Sequence, residues 1–228
     1  NPISHNAEAY FGSDLPSLVL SLEIEKEPGA YFEYKSGNTQ VLALILKNVL
    51  DKNIASYASE KIWSKIGTEK DAIWNLDHEN GVEKAYCCFY ATTRDYAKIG
   101  RLMVENGNWN GEQIISSEFI KEITNPAHIK ELGGASNDLY GLHWWLYPGE
   151  RSPLYYARGI LGQFIICMPE EKIVIVGTGN KREPLYKVPV NLQVTLNMTQ
   201  LEGHPQDLRL YAQLAFLLDS QLKFHSNR

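Results

Sequence analysis

The chain has 228 residues, of which 44% are apolar and 21% are charged, and its formal net charge is -5. This length is enough for one large domain or two small ones with a proper core. Lys and Arg form no long run, which argues against a nucleic-acid partner, and no apolar run is long enough to cross a bilayer.

The ends of the chain and its cysteines and histidines limit the possible functions further. The first residue is Asn1 rather than Met, so we expect the chain to be a piece of a longer protein. Cys87, Cys88 and Cys167 contain no Cys-x-x-Cys pair, and we expect all three to be small buried hydrophobes. The six histidines lie singly, without the spacing that metal ligands show, so we expect no metal and no cofactor.

Residues 1–135 are predicted to form a mainly helical region. After a turn at Pro28-Gly29, Tyr34 lies one short polar turn ahead of apolar residues at helical spacing, which run from Leu42 to Leu50. The pattern predicts a buried helix. A partly buried phenol at its N-terminus would feel the positive end of the helix dipole, although Tyr34 could equally be an aromatic side chain that only packs on the core.

Further helices follow in the same region. An amphipathic pattern predicts a helix over residues 54–66 that Gly67 ends, and residues 71–86 are predicted to be a loop crossing the surface. Either Thr92 or Thr93 can cap the next helix, which Gly107 ends. A short helix is predicted from Ser116 or Ser117 to residue 123.

Residues 136–228 are predicted to form a sheet. Apolar runs separated by turn residues predict antiparallel strands over residues 142–146, 154–158, 163–168 and 173–177. Residues 181–201 have little pattern, and residues 207–222 are predicted to form a helix that covers one face of the sheet. The fold class predicted from these elements is α+β, with a helical region followed by an antiparallel sheet covered by a C-terminal helix.

A search for catalytic groups finds no Gly-x-Ser-x-Gly motif, and the Ser-x-x-Lys at Ser220 to Lys223 lies at the end of the last predicted helix. Four other segments resemble, in this order, the β-lactamase-related serine hydrolases: class C β-lactamases, DD-peptidases and, above all, 6-aminohexanoate-dimer hydrolase. They are Tyr34-Lys35-Ser36, residues 91–102, residues 140–145 and residues 157–163.

The resemblance implies a β-lactamase/transpeptidase-like fold and a role for several residues. Tyr34 would be the general acid/base, and Ser36 its companion polar contact. The family's Lys-Thr-Gly-like triplet falls on Ala157-Arg158-Gly159, without the lysine, which counts against efficient β-lactam hydrolysis. The amide of Ile160 would then donate to the oxyanion.

Substrate binding is expected at the same edge strand. Arg158 could bind a substrate carboxylate or face solvent, and the bare backbone of Gly159 would let substrate pair along the strand. Trp145 could form a wall of the pocket, or it could be an ordinary core aromatic. Gln163 completes the segment that we assign to substrate binding.

The nucleophilic serine and its lysine base are expected upstream of Tyr34, outside this sequence. We therefore expect this chain to be the C-terminal part of a serine hydrolase that cleaves a small amide or ester through an acyl-enzyme. Its expected partner is the missing segment or a second chain, and we expect no membrane span. The alternative is a non-catalytic relative that binds a peptide-like ligand or a partner chain. The compartment, periplasm or cytoplasm of a bacterium, stays open.

Overall fold

The computed structural model describes residues 5–148, 153–159 and 162–179. The predicted helix over residues 207–222, residues 181–201 and Ser220 to Lys223 lie outside the described residues. The helices are α1 (His5–Phe11), α2 (Leu15–Leu20), α3 (Ser36–Leu50), α4 (Ile54–Ala58), which a π-helical turn (Ser59–Trp63) continues, α5 (Thr93–Val104) and α6 (Ser117–Ile123). The strands are β1 (Tyr31–Phe32), β2 (Ile73–Trp74), β3 (Phe89–Tyr90), β4 (Asn108–Trp109), β5 (Glu112–Gln113), β6 (Lys130–Glu131), β7 (Trp145–Tyr147), β8 (Leu154–Gly159), β9 (Gln163–Met168) and β10 (Ile173–Thr178).

Side chains that cap helix N-termini set where most of these helices begin. The Thr92 hydroxyl accepts a hydrogen bond from the Asp95 amide at the start of α5, and Ser116 caps α6 in the same way through the Phe119 amide. Of the two threonines that the sequence leaves open, Thr92 is the cap. The predicted helices over the α5 and α6 segments are confirmed.

The main sheet is antiparallel, with strand order β10-β9-β8-β7. Strands β8, β9 and β10 are six residues long and match the predicted runs, because each run is apolar and bounded by turn residues. Strand β7 begins at Trp145 rather than at the predicted residue 142. The preceding His143 has a φ of 62°, which no strand residue adopts, so the chain turns there before it pairs.

Alternating side chains of the sheet enter two core clusters. On one face, Tyr155 of β8 and Cys167 of β9 pack with buried residues of α5 and α6. On the other face, Tyr156 packs with Phe164 and Ile166 of β9. Both faces of the central strands are therefore buried, which explains why their sequences are almost continuously apolar.

Helix α5 packs closely on β9 and β10. A Cβ atom at Gly100 would lie 2.4 Å from the Cγ1 atom of Val174, so only glycine allows this approach. The Sγ atom of Cys167 lies 3.7 Å from the Gly100 carbonyl oxygen, and this cysteine is the buried hydrophobe that we expect. Burial raises the pKa of its thiol.

The first turn of α5 holds a fully buried carboxylate, Asp95. Its oxygens accept hydrogen bonds from the Glu69 amide at 2.7 Å, the Thr92 hydroxyl at 2.8 Å and the Lys98 ammonium at 3.1 Å. Burial by itself would raise the pKa of Asp95, but these hydrogen bonds lower it below its ordinary value. The carboxylate thereby joins α5 to the segment that follows the π-helical turn.

Helix α3 is present as predicted, but it is not a buried helix. Its buried residues are Gln40 and Ala43, and the apolar side chains of its other face are exposed, among them Val49 at 76%. The exposed apolar residues are Val41, Leu42, Ile45, Leu46 and Val49, which we call the apolar face of α3. The helical spacing of these residues indicates one face, but the described residues leave that face uncovered.

Residues 71–86, predicted to be a surface loop, are exposed over most of residues 71–80, but Asp77 and residues 82–84 are buried. Asp77 is buried, and its carboxylate accepts hydrogen bonds from the amides of Leu15, His78 and Val82 at 2.8–2.9 Å. The segment also contains β2, which pairs with β3. A search for apolar periodicity misses such a segment because its anchors are hydrogen bonds.

The prediction that Cys87 and Cys88 are buried thiols is wrong. The two neighbouring cysteines form a disulfide, and both are only half-buried. Cysteines adjacent in sequence do not match the spacing of an ordinary disulfide framework, and a count of cysteines therefore does not reveal the pair.

Candidate active site

Tyr34 lies between β1 and the first residue of α3. Strand β1 pairs in parallel with β6, which fixes the backbone two residues ahead of the tyrosine, and the next residue, Lys35, has extended backbone at the N-cap of the helix. Lys35 forms ion pairs with Glu25 and Glu33 at 2.5 and 3.5 Å. The tyrosine is thus carried by a short, well-anchored connection.

Tyr34 is 57% exposed and is therefore less buried than the sequence suggests. More than half of the residue is accessible to solvent or to a ligand. Ser36 follows as the first residue of α3 and is half-buried. Since α3 has fifteen residues, the positive end of its dipole lies directly behind the tyrosine.

Aromatic rings from distant parts of the sequence meet at Tyr34. Its ring centroid lies 5.7 Å from that of Tyr140 in an edge-to-face arrangement and 5.4 Å from that of Trp145. Tyr140 and Trp145 contact each other at 4.9 Å, and Phe32 of β1 packs on Tyr140 at 5.0 Å. We call Phe32, Tyr34, Tyr140 and Trp145 the aromatic cluster.

Tyr140 lies at the centre of this cluster. Its carbonyl oxygen accepts hydrogen bonds from the Ala127 amide and from the side-chain amide of Asn137, which is 3% exposed. An isolated bridge pairs it with Trp145. Burial is the main cause of the raised pKa of the Tyr140 phenol, and the nearby Tyr34 raises this pKa further. We do not predict a role for Tyr140 from the sequence, although it begins one of the motifs that carry the resemblance.

The aromatic cluster adjoins the strand that carries the predicted triplet. Trp145 of β7 is opposite Tyr156 of β8, and the two rings are stacked at 6.4 Å. Trp145 packs with the second core cluster and Trp144 with the first, so the two tryptophans lie on opposite faces of the sheet. Trp145 therefore packs on the second core cluster and also contacts Tyr34.

Strand β8 pairs with β7 and β9 over different residues. Strand β7 pairs with residues 154–156 of β8, whereas β9 pairs with residues 155–159. The predicted triplet Ala157-Arg158-Gly159 therefore pairs with β9 and lies beyond the last residue of β8 that is in register with β7.

Gly159 and Gln163 are opposite each other in the register of β8 and β9. A Cβ atom at Gly159 would lie 2.2 Å from the Oε1 atom of Gln163, so the glutamine side chain occupies that space. The Nε2 atom of Gln163 donates to the Gly179 carbonyl oxygen at 3.1 Å. This glutamine thus has a clear structural role next to the predicted site.

The other predicted site residues are placed less completely. Arg158 is half-buried and lies on the same sheet face as Tyr156. Burial raises the pKa of Tyr156 to about 12, although the positive charge of Arg158 acts in the opposite direction. Both alternatives for Arg158 stay open. Ile160 lies outside the described residues.

The described residues offer neither a metal-binding cluster nor a membrane-spanning helix. They contain no group of three or more His, Cys, Asp or Glu side chains that could hold a metal ion. No helix in the same part of the chain has the length and apolar character that a membrane span requires.

A family profile described as Beta-lactamase matches residues 3–196. The chain is 27% identical over 167 residues to the 6-aminohexanoate-dimer hydrolase of Paenarthrobacter ureafaciens, a match that covers 67% of this chain and 40% of that protein. A solved structure from Bacillus anthracis, named provisionally as a 6-aminohexanoate-dimer hydrolase, has a TM-score of 0.77 and 27% identity, with 95% of this chain and 55% of that one covered. A family VIII carboxylesterase structure has a TM-score of 0.64 and 17% identity, covering 92% and 65%.

These similarities confirm the fold that the sequence motifs predict, an arrangement of helices and antiparallel sheet shared with β-lactamases and penicillin-binding proteins. The chain spans 40% of the curated relative and about half of the Bacillus anthracis structure.

Proposed function

Because this chain belongs to the beta-lactamase family of serine hydrolases and their relatives, we propose that it is the part of a hydrolase that supplies the acid/base tyrosine of the active site. The whole protein would cleave a small amide or ester through an acyl-enzyme. The observation that carries this proposal is the contact between Tyr34 and Trp145, whose strand pairs with β8 next to the predicted triplet.

In this proposal, the Tyr34 phenol moves the proton of the acylation step. A serine Oγ atom from a Ser-x-x-Lys segment outside this sequence attacks the substrate carbonyl carbon. As the serine proton passes to the Tyr34 oxygen, the phenol proton passes to the lysine amine of that segment, and the lysine later returns this proton to Tyr34. Tyr34 then donates a proton to the leaving nitrogen or oxygen as its bond to the carbonyl carbon breaks. Water releases the acyl group by the reverse order of proton transfers. Ser36 stays a predicted polar contact of the tyrosine.

The predicted triplet at the end of β8 is the proposed binding place for the substrate. A substrate held beside Gly159 would bring its scissile carbonyl towards the amide of Ile160, the proposed oxyanion donor. Trp145 forms a wall of this site, and Gln163 supports Gly159 from the other side. Ala157 stands where the family's lysine is expected, and this favours simple esters and amides over β-lactams.

Two uncovered surfaces support a nucleophile that comes from another segment. One is the apolar face of α3, which starts within two turns of Tyr34. The other is the outer edge of β10, which has no strand partner among the described residues. Exposed apolar helix faces and unpaired strand edges are places where another segment can bind, whether it lies beyond the described residues or in another chain. Both are suited to bind the segment that carries Ser-x-x-Lys.

The test is Tyr34→Phe in the complete protein, with the acylation rate measured on a short-chain nitrophenyl ester. Removing a general acid/base lowers the rate by a factor on the order of 10² to 10⁴. Tyr31→Phe is the matched control, because Tyr31 is also an exposed tyrosine of this connection but lies outside the aromatic cluster. Equal acylation rates for the two variants would refute the role of Tyr34.

The competing function is a non-catalytic relative that binds a peptide-like ligand or a partner chain. The same uncovered surfaces favour it, since a partner could cover them without supplying a nucleophile. Intact-protein mass spectrometry of native material with a fluorophosphonate probe separates the two functions. Probe uptake by the complete protein, or by a second chain bound to this one, supports the hydrolase. Native material that stays unlabelled supports the binding function.

A further inference from the structure

The disulfide between Cys87 and Cys88 lies in a turn that the proposed catalytic steps do not use. The two cysteines are neighbours in sequence, and Cys88 has a φ of 65°, in the left-handed region that residues other than glycine rarely adopt. Both residues are half-buried, so a small reagent can reach them. The third cysteine, Cys167, is buried in the core and is separate from this pair.

A disulfide between neighbours has little value as a covalent staple. The stabilisation that a disulfide gives by restricting the unfolded chain grows with the length of the loop it closes. Here the loop is a single peptide unit, so the unfolded state is hardly restricted. The effect of this disulfide must be local, on the shape of the turn at Cys87 and Cys88.

Backbone groups of this turn hold the neighbouring segment. The Cys87 amide donates to the Lys84 carbonyl oxygen at 3.0 Å, and the Cys87 carbonyl oxygen accepts from the indole nitrogen of Trp74 at 3.1 Å. The Cys88 carbonyl oxygen accepts from the Asn75 amide at 3.0 Å. A change in the shape of the turn therefore acts directly on β2.

The same segment holds helix α3. The side chain of Gln40, which is 1% exposed, donates to the Glu83 carbonyl oxygen and accepts from the Ala85 amide, both at 2.9 Å. These backbone groups lie two to five residues ahead of the cysteines. The residues between Glu83 and Cys88 therefore contact both β2 and α3, the helix that begins two residues after Tyr34.

We propose that Cys87 and Cys88 form a reversible redox-modification site, which a small dithiol reductant opens. A thiolate of the reductant attacks one cysteine sulfur and forms a mixed disulfide, and its second thiol then releases the protein. The protein disulfide gains two electrons and two protons and becomes two thiols, while the reductant becomes a disulfide. The freed Cys88 leaves the left-handed conformation, and the hydrogen bonds to Trp74 and Asn75 weaken.

The first test measures the state of the two cysteines in protein purified without reductant. Alkylation with N-ethylmaleimide under native conditions should label neither Cys87 nor Cys88, and it should label both after treatment with dithiothreitol. The Cys167→Ser variant is used throughout, so that the remaining cysteine cannot contribute. Labelling of Cys87 or Cys88 without reductant would overturn the proposal.

The second test measures amide hydrogen exchange with and without dithiothreitol. We expect the Asn75 and Cys87 amides to exchange about tenfold faster in the reduced protein, while amides in the middle of α5 keep their rates, because the opening is local. A Cys87→Ser, Cys88→Ser double variant should show the fast exchange without reductant and no response to it. Unchanged exchange of Asn75 on reduction would refute the coupling. Neither measurement depends on catalytic activity.

Discussion

Replacing Gln40 by leucine tests how the helix behind Tyr34 is held in place. Leucine has a similar size but cannot hydrogen-bond, so the Glu83 carbonyl oxygen and the Ala85 amide lose their partner at a site that is closed to water. Each buried polar group left without a partner costs about 1–3 kcal/mol. The two groups together therefore cost about 2–6 kcal/mol.

The burial of a leucine side chain offsets part of this cost. The additional apolar surface contributes about 1–2 kcal/mol. The middle of the two ranges gives an expected loss in the free energy of unfolding of about 2–3 kcal/mol, within extremes of about 0–5 kcal/mol. This is a large part of the roughly 5–15 kcal/mol that holds an ordinary domain together. A loss of this size cannot come from the change in helix propensity, since glutamine and leucine are both good helix formers.

The assay is urea unfolding of the full chain followed by far-UV circular dichroism. Gln40→Leu should lower the midpoint by about 0.5–2 M with an unchanged m-value. Asn48→Leu is the matched control on the same helix, because Asn48 is exposed and its replacement should change stability by less than about 0.5 kcal/mol. Overlapping unfolding curves for the two variants would refute the idea that Gln40 anchors α3.

Two further predictions concern acid stability and the aromatic cluster. The pKa of Asp95 is lower in the folded than in the unfolded chain, so the ionised carboxylate stabilises the fold at pH values above the unfolded pKa. This stabilisation is lost as the pH falls through the folded pKa. Asp95→Asn should therefore lower stability at neutral pH and flatten the fall in stability on acidification, as measured by urea midpoints between pH 7 and pH 3. In the complete protein, Tyr140→Leu should lower kcat on an ester by about 10- to 100-fold with a smaller change in KM, since loss of its ring contacts lets Tyr34 move. Tyr140→Phe keeps the ring and should retain most of the activity; equal losses in both Tyr140 variants would contradict a positioning role.

Local patterns were sufficient for the strands of the main sheet and for α5. The runs that became β8, β9 and β10 are apolar and bounded by turn residues, and Thr92 supplies the cap that begins α5. These signals are local because the backbone conformation of a short segment follows largely from its own side chains and turn residues. The four ordered motifs likewise indicated the family from the sequence alone.

Burial was harder to predict than secondary structure. The apolar spacing of α3 correctly predicted a helix with an apolar face, but whether that face is covered depends on what packs against it. The reverse error occurred at residues 71–86, where Asp77 and other buried polar groups give no apolar period to detect. Burial is a property of the partner as well as of the segment.

The sequence by itself determined helices α3 to α6, strands β7 to β10, the family and the choice of Tyr34 as the candidate acid/base. Only the tertiary structure decided that Tyr34, Tyr140 and Trp145 share one cluster, that the triplet lies beyond the end of β7, and that Cys87 is joined to Cys88. The physical reason is clearest for the ring contacts, which join Tyr34 to residues more than a hundred positions away. No local preference of the chain specifies which distant groups will meet, because that choice is made by packing the whole fold at once.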